Sequence, residues 1–169
     1  MSGSPSWPLV IEAIKVDSVP SAEWLLADAC EISSLEEAAL QRCNVVVAAT
    51  GDDKVKYDKT EITAKPGETL RVVLKSVGTA PKAIMAHNFV LLKAGVDPVE
   101  FNKASFAARA TDYVPTELRS QIIAATGLAG PGETVEVTVK VPTQPGRYTY
   151  LCTFPGHFAL GMRGVLIVK

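Results

Sequence analysis

Short runs in which apolar and polar residues alternate dominate the second half of this chain. In Thr134-Val-Glu-Val-Thr-Val-Lys140 every second residue is a valine, the period of a strand with one wet and one dry face. Runs rich in β-branched and aromatic residues at 45–49, 54–57, 61–64, 69–74, 88–92, 148–152 and 164–168 read the same way. Turn signals separate them at Gly51-Asp-Asp53, Pro66-Gly67, Pro131-Gly132 and Pro145-Gly146. About eight short strands at this spacing predict an all-β fold, a two-sheet Greek-key β-sandwich.

The alternation breaks in two places. Between Leu92 and Ile122 the run Asp97-Pro-Val-Glu-Phe-Asn-Lys-Ala-Ser-Phe106 opens with Asp97 as a helix cap before Pro98, which predicts a short helix. Upstream, 21–29 and 34–42 read as two short helices, the second opening with a Ser34 to Glu37 capping box. Residues 1–42 are therefore expected to form a helical extension or linker, and 43–169 the β domain. The first residues, Met-Ser-Gly-Ser-Pro-Ser-Trp7, lack the basic start and apolar stretch of a secretory signal. Either a signal has been removed or the domain is taken from a larger polypeptide, and the second is the preferred expectation.

Composition narrows the field. The 169 residues suffice for one sizeable core and a small added element. With 17 basic against 18 acidic side chains there is no basic stripe for nucleic acid, and no apolar run is long enough to span a bilayer. No Cys-x-x-Cys-His occurs, so no c-type haem attaches here.

The chemistry lies in Tyr150-Leu-Cys-Thr-Phe-Pro-Gly-His-Phe-Ala-Leu-Gly-Met-Arg-Gly164. Cys152, His157 and Met162 follow one another at intervals of five on one connection between two predicted strands. A thiolate and an imidazole accept either Cu(I) or Cu(II), and a thioether is a weak donor that favours the reduced ion. A blue-copper site needs two histidines, a cysteine and a long axial thioether. The chain has two histidines, so His87 is the remaining candidate for the fourth place. Singly, each residue has an ordinary use: a cysteine as a small buried hydrophobe, a methionine as core filler. Together, with Pro155-Gly156 turning the chain between them, they point to one metal. Zinc also suits nitrogen and sulfur donors; colour separates the two metals.

Two segments carry a resemblance to a known family. Pro81-Lys-Ala-Ile-Met-Ala-His87-Asn-Phe-Val-Leu91 and Cys152-Thr-Phe-Pro-Gly-His157 resemble the ligand segments of the azurin-like blue-copper proteins, the cupredoxins, over about 43–169. The four residues between His157 and Met162 make the loop more similar to that of the auracyanins. The resemblance implies His87, Cys152 and His157 as equatorial ligands, Met162 as axial ligand, and a weak approach of the Ala86 carbonyl. It implies that Asn88 and Thr153 tie the two ligand segments together, and that the Phe154 amide donates to the Cys152 sulfur. It implies an apolar docking patch of Met85, Pro155, Phe158, Ala159 and Leu160 around His157, and it makes the helix expected after Asp97 a helical flap on the side of the sandwich, a structural cover. Cys43 falls where azurins carry the first cysteine of a disulfide, and the usual partner position near Lys65-Pro66 has no thiol. A bridge from Cys43 to Cys30 is then one reading, and two reduced thiols the other.

The expected function is electron transfer by one type 1 copper ion cycling between Cu(II) and Cu(I). Partners would be transient redox proteins, a cytochrome or a membrane redox complex, in a periplasmic or other extracytoplasmic setting. Two alternatives stand beside it. A catalytic copper needs further histidines, so in an enzyme this chain would serve only as the electron-entry domain. A non-redox, copper-trafficking cupredoxin is the third reading, which a reversible one-electron wave would exclude.

Overall fold

The computed structural model describes the backbone of 42–50 and all of 55–169. The two expected N-terminal helices, Cys30, and the side chain of Cys43 lie outside the described residues. Among the described residues nine strands form two sheets. In chain order they are β1 (Arg42–Thr50), β2 (Lys56–Tyr57), β3 (Glu61–Ala64), β4 (Thr69–Val77), β5 (Val90–Leu92), β6 (Ile122–Ala125), β7 (Thr134–Lys140), β8 (Gly146–Leu151) and β9 (Arg163–Val168). One sheet has the order β2-β1-β4-β7, the other β3-β9-β8-β5-β6. β1 runs parallel to β4 and β3 parallel to β9, and the remaining pairs are antiparallel.

Two differences from expectation concern these elements. β6 was not anticipated, because Ile122-Ile-Ala-Ala125 has no alternation. Its burial is partial at most positions, and it forms the outer edge beside β5. The second expected helix was to include Arg42, which instead opens β1 opposite Thr69.

Alternation along the strands builds the core. Leu70, Val72 and Leu74 of β4, Val139 of β7, Tyr148 and Tyr150 of β8, and Leu166 and Val168 of β9 meet between the sheets. The residues of β5 divide between two faces: Leu91 joins that main core, while Val90 and Leu92 face outward into a second cluster. Helix α1 (Pro98–Ser105) covers this second cluster, with Phe101 at 1% exposure beneath it and Val114 and Leu151 alongside. Asp97 caps α1 by accepting the Val99 amide at 2.8 Å, as its place before Pro98 foretold. Two 3₁₀ turns, Arg109–Thr111 and Thr116–Gln121, carry the chain from the flap to β6.

Candidate metal centre

The period-two rule that fills the core also aims the cysteine inward. Tyr148, Tyr150 and Cys152 are alternate residues and all lie in the main core, whereas Leu151 between them faces the flap. Phe89 and Leu91 point inward from the neighbouring segment by the same rule, and His87 precedes them by two. β5 and β8 pair Val90 with Leu151 and Leu91 with Tyr150. Continued by two residues, that register sets Asn88 opposite Thr153 and brings the His87 segment beside Cys152. On its other side His87 forms a β-bridge with Ala129, its amide donating at 2.9 Å and its carbonyl accepting at 2.7 Å.

The loop after Cys152 folds back on itself. His157 N donates to the Phe154 carbonyl and Met162 N to the His157 carbonyl, at 3.1 and 3.0 Å, while Cys152 N donates to the Met162 carbonyl at 3.1 Å. Gly156 and Gly161 make these reversals with φ of 86° and 95°, angles at which a β-carbon clashes with the backbone.

His87, Cys152 and His157 present ligand atoms that all lie within 4.8 Å of one another. The fourth candidate joins them: His87 Nδ1 is 3.2 Å from Met162 Sδ, and His157 Nδ1 is 3.5 Å from Cys152 Sγ. The two imidazole rings lie 4.9 Å apart. Exposure is 0% for His87, Cys152 and Met162 and 4% for His157, so His157 alone of the four keeps any contact with solvent. Among the described residues no other grouping of His, Cys, Asp and Glu has this geometry.

The electrostatics of the pocket suit it to a cation. Burial pushes the Cys152 thiol up to about 12, against the pull of amide hydrogen bonds from Asn88 and Phe154. Burial lowers both imidazoles to about 4, and the proximity of His87 adds to the effect at His157. Neutral imidazoles are the ligand form. A buried thiol carrying two amide donors on its sulfur is set up to ionise once a metal supplies the opposing charge. The donor set of two nitrogens, one thiol and one thioether fits copper.

Asn88, 0% exposed, joins the ligand segments. Its Oδ1 accepts the Thr153 amide at 2.9 Å, and its Nδ2 donates to Thr153 Oγ1 at 2.8 Å and to the Asp112 carbonyl at 3.0 Å. Asp112 was missed from sequence. It and Tyr113 are the described non-glycine residues with positive φ, 56° and 59°, a conformation that costs on the order of 1–3 kcal/mol each. Tyr113 meets Phe154 edge-on at 5.4 Å, and Phe154 in turn lies 4.8 Å from the His157 ring.

The expected docking patch needs one correction. Phe158 is 7% exposed and belongs to the cluster beneath the flap, with the Arg163 guanidinium 5.1 Å from its ring centre. It has turned inward because the space between Leu151 and Val114 accepts a large ring. Leu160, at 63%, with Pro155 and Ala159 are exposed, and Met85 is half-buried. Ile84, 67% exposed and not anticipated, follows in the His87 segment. Ala86 is fully buried immediately before His87.

A sandwich carrying buried histidine, cysteine, histidine and methionine at one end defines a cupredoxin with a type 1 copper site. Comparison with known proteins agrees: a model of copper-binding proteins, plastocyanin/azurin family, matches residues 43–169. The chain belongs to that family. It is 38% identical over 119 residues to auracyanin-A of Chloroflexus aurantiacus, covering 69% of each chain. It is 39% identical over 127 residues to azurin-1 of Alcaligenes xylosoxydans xylosoxydans, covering 73% of this chain and 95% of that one. Among solved structures, dithionite-reduced auracyanin of Roseiflexus castenholzii superimposes with a TM-score of 0.65 at 36% identity, covering 75% of this chain and 96% of the other. Copper is the cofactor, and the His87, Cys152 and His157 cluster fits a single ion.

Proposed function

We propose that this chain is a single-electron carrier in which Nδ1 of His87, Nδ1 of His157, Sγ of Cys152 and the Met162 thioether hold one copper ion, with 43–169 as the carrier domain. The observation that supports it best is the convergence of three buried donors within 4.8 Å. Copper, when bound, supplies a Cu(II)/Cu(I) couple. The protein supplies a dry, prebuilt pocket in which both oxidation states meet the same ligands, so little has to move when the charge changes. Asn88 and Thr153 hold the two ligand segments at fixed separation, and the amides of Asn88 and Phe154 moderate the charge on the sulfur. With four protein donors around the metal and no third histidine in the chain, the site is that of a carrier and not of an enzyme that binds substrate at copper.

His157 is the one candidate ligand that keeps any exposure; Pro155, Ala159 and Leu160 of its own loop and Ile84 of the His87 segment are exposed apolar residues. Such a patch suits a small, short-lived interface with a redox protein, in the periplasmic or other extracytoplasmic setting implied by the resemblance to azurins and auracyanins. Among the described residues no helix is long and apolar enough to cross a membrane. The decisive experiment is an absorption spectrum and voltammogram of the Cu(II)-loaded protein. An intense visible thiolate band with a reversible one-electron wave is expected, and a colourless or electrochemically silent copper complex would overturn the proposal.

A further inference from the structure

Tyr57 carries a hydroxyl where a plain phenyl ring would fill the same space. Its side chain enters from the two-residue strand β2, is 3% exposed, and packs within the main core 6.4 Å from the Phe89 ring and 5.5 Å from that of Tyr150. A buried phenol is costly unless it is bonded. This one donates to the Asn88 carbonyl at 2.5 Å. Asn88 follows His87 directly, and its remaining polar groups are all engaged around the metal centre. Its amide donates to the Cys152 sulfur, and its side chain binds Thr153 and Asp112. The Tyr57 hydroxyl closes the last open group of that residue.

We propose that Tyr57 is a positioning residue for the metal centre: by holding the Asn88 carbonyl it fixes the backbone of Asn88 and keeps the Asn88 amide aimed at Cys152 Sγ. The reach of this proposal to copper rests on the function proposed above; the hydrogen-bond relay itself does not. Burial, then the charges of Cys152 and Tyr150, raise the phenol well above its usual range, so the donor keeps its proton around neutral pH. Loss of the hydroxyl frees the carbonyl, loosens the amide and leaves the thiolate with one firm donor instead of two. An electron-richer sulfur favours the oxidised metal, so the potential falls.

The test compares Tyr57→Phe with Tyr150→Phe in the full chain. Tyr150 is the matched control: its ring lies 4.9 Å from Phe89 in the same aromatic cluster, but its hydroxyl donates to the Lys59 carbonyl at 2.6 Å, away from Asn88. In the metal-free protein, Tyr57→Phe is expected to speed hydrogen exchange at the Asn88 amide about tenfold relative to the β4 amides, the scale of one lost hydrogen bond. Tyr150→Phe is expected to leave that ratio unchanged. In the copper-loaded protein the thiolate band and the potential should shift, the latter downward, in the first variant alone. Equal behaviour of the two variants, or an Asn88 amide that exchanges as in the parent, overturns the proposal. Because the exchange measurement needs no metal, a failure of the copper assignment would leave this outcome readable.

Discussion

Acidification of the metal-free protein probes how deeply the two imidazoles are desolvated. Both titrate near 6.5 when the chain is unfolded, and both are lowered to about 4 in the fold by burial, His157 further by its neighbour. Well above pH 6.5 neither state binds a proton at these sites, and the histidines leave stability unaffected. Between 6.5 and 4 the unfolded chain takes up protons that the folded one refuses, so stability falls as pH falls and levels off below 4. At pH 5 a ring with these two values loses up to about 2 kcal/mol, and with solvent screening and the coupling of the rings the pair contributes about 2–4 kcal/mol relative to pH 7. That is a large share of the roughly 5–15 kcal/mol by which domains are stable. Urea unfolding of the copper-free chain at pH 7, 6 and 5, with the midpoint read at constant slope, measures it. A stability that stays flat from pH 7 to 5 would show that water or a neighbouring group already solvates the rings, and the tight, dry pocket would have to be abandoned. Copper should protect the protein over the same range, since a bound metal holds the imidazoles in their neutral form.

Cys152→Ser should retain the fold and lose the intense visible band of the Cu(II) protein, because the band needs a thiolate donor; a band that persists removes Cys152 from the ligand set. Asn88→Ala strips partners from the Thr153 amide, Thr153 Oγ1 and the Asp112 carbonyl, and a loss of about 3 kcal/mol in denaturant unfolding is expected for buried groups left unpaired. Phe101→Ala opens a cavity beneath the flap at a residue 1% exposed and should cost about 3–5 kcal/mol. The copper spectrum should not change, since the flap packs on the outer face of β5 and β8; an altered spectrum would give the flap a part in the centre. Between pH 5 and 8 the potential should move by much less than about 59 mV per pH unit, the shift of one proton per electron, because the proposed site takes both histidines of the chain as ligands.

The strands were legible wherever one face is wet. β7 alternates along its whole length, and helix α1 announced itself by Asp97 before Pro98. β6 was not legible, because its Ile-Ile-Ala-Ala run has neither alternation nor a turn signal of its own. Its strand character comes from pairing with β5. Phe158 misled for a related reason: in a list of apolar loop residues nothing distinguishes the one that turns under the flap from those that stay outside, and only the space left by Leu151, Val114 and Phe101 decides it.

The candidate site divides along the same line. The loop of Cys152, His157 and Met162 is compact enough in sequence for its chemistry to be read directly, and with two histidines in the chain His87 follows by elimination. What the chain order does not contain is distance. His87 stands 65 residues before Cys152 (the separation of their successors, Asn88 and Thr153), and only the β5 to β8 register brings those neighbours within hydrogen-bonding reach. Asp112 and Tyr57, which hold Asn88 from two further directions, are unremarkable as letters and acquire their roles through contacts made across the sandwich. Residue type and spacing thus determined which atoms can bind a metal. The packing of two sheets decided that those atoms meet, dry and held apart from water, because burial and convergence are properties of the folded surface and not of any local run of the chain.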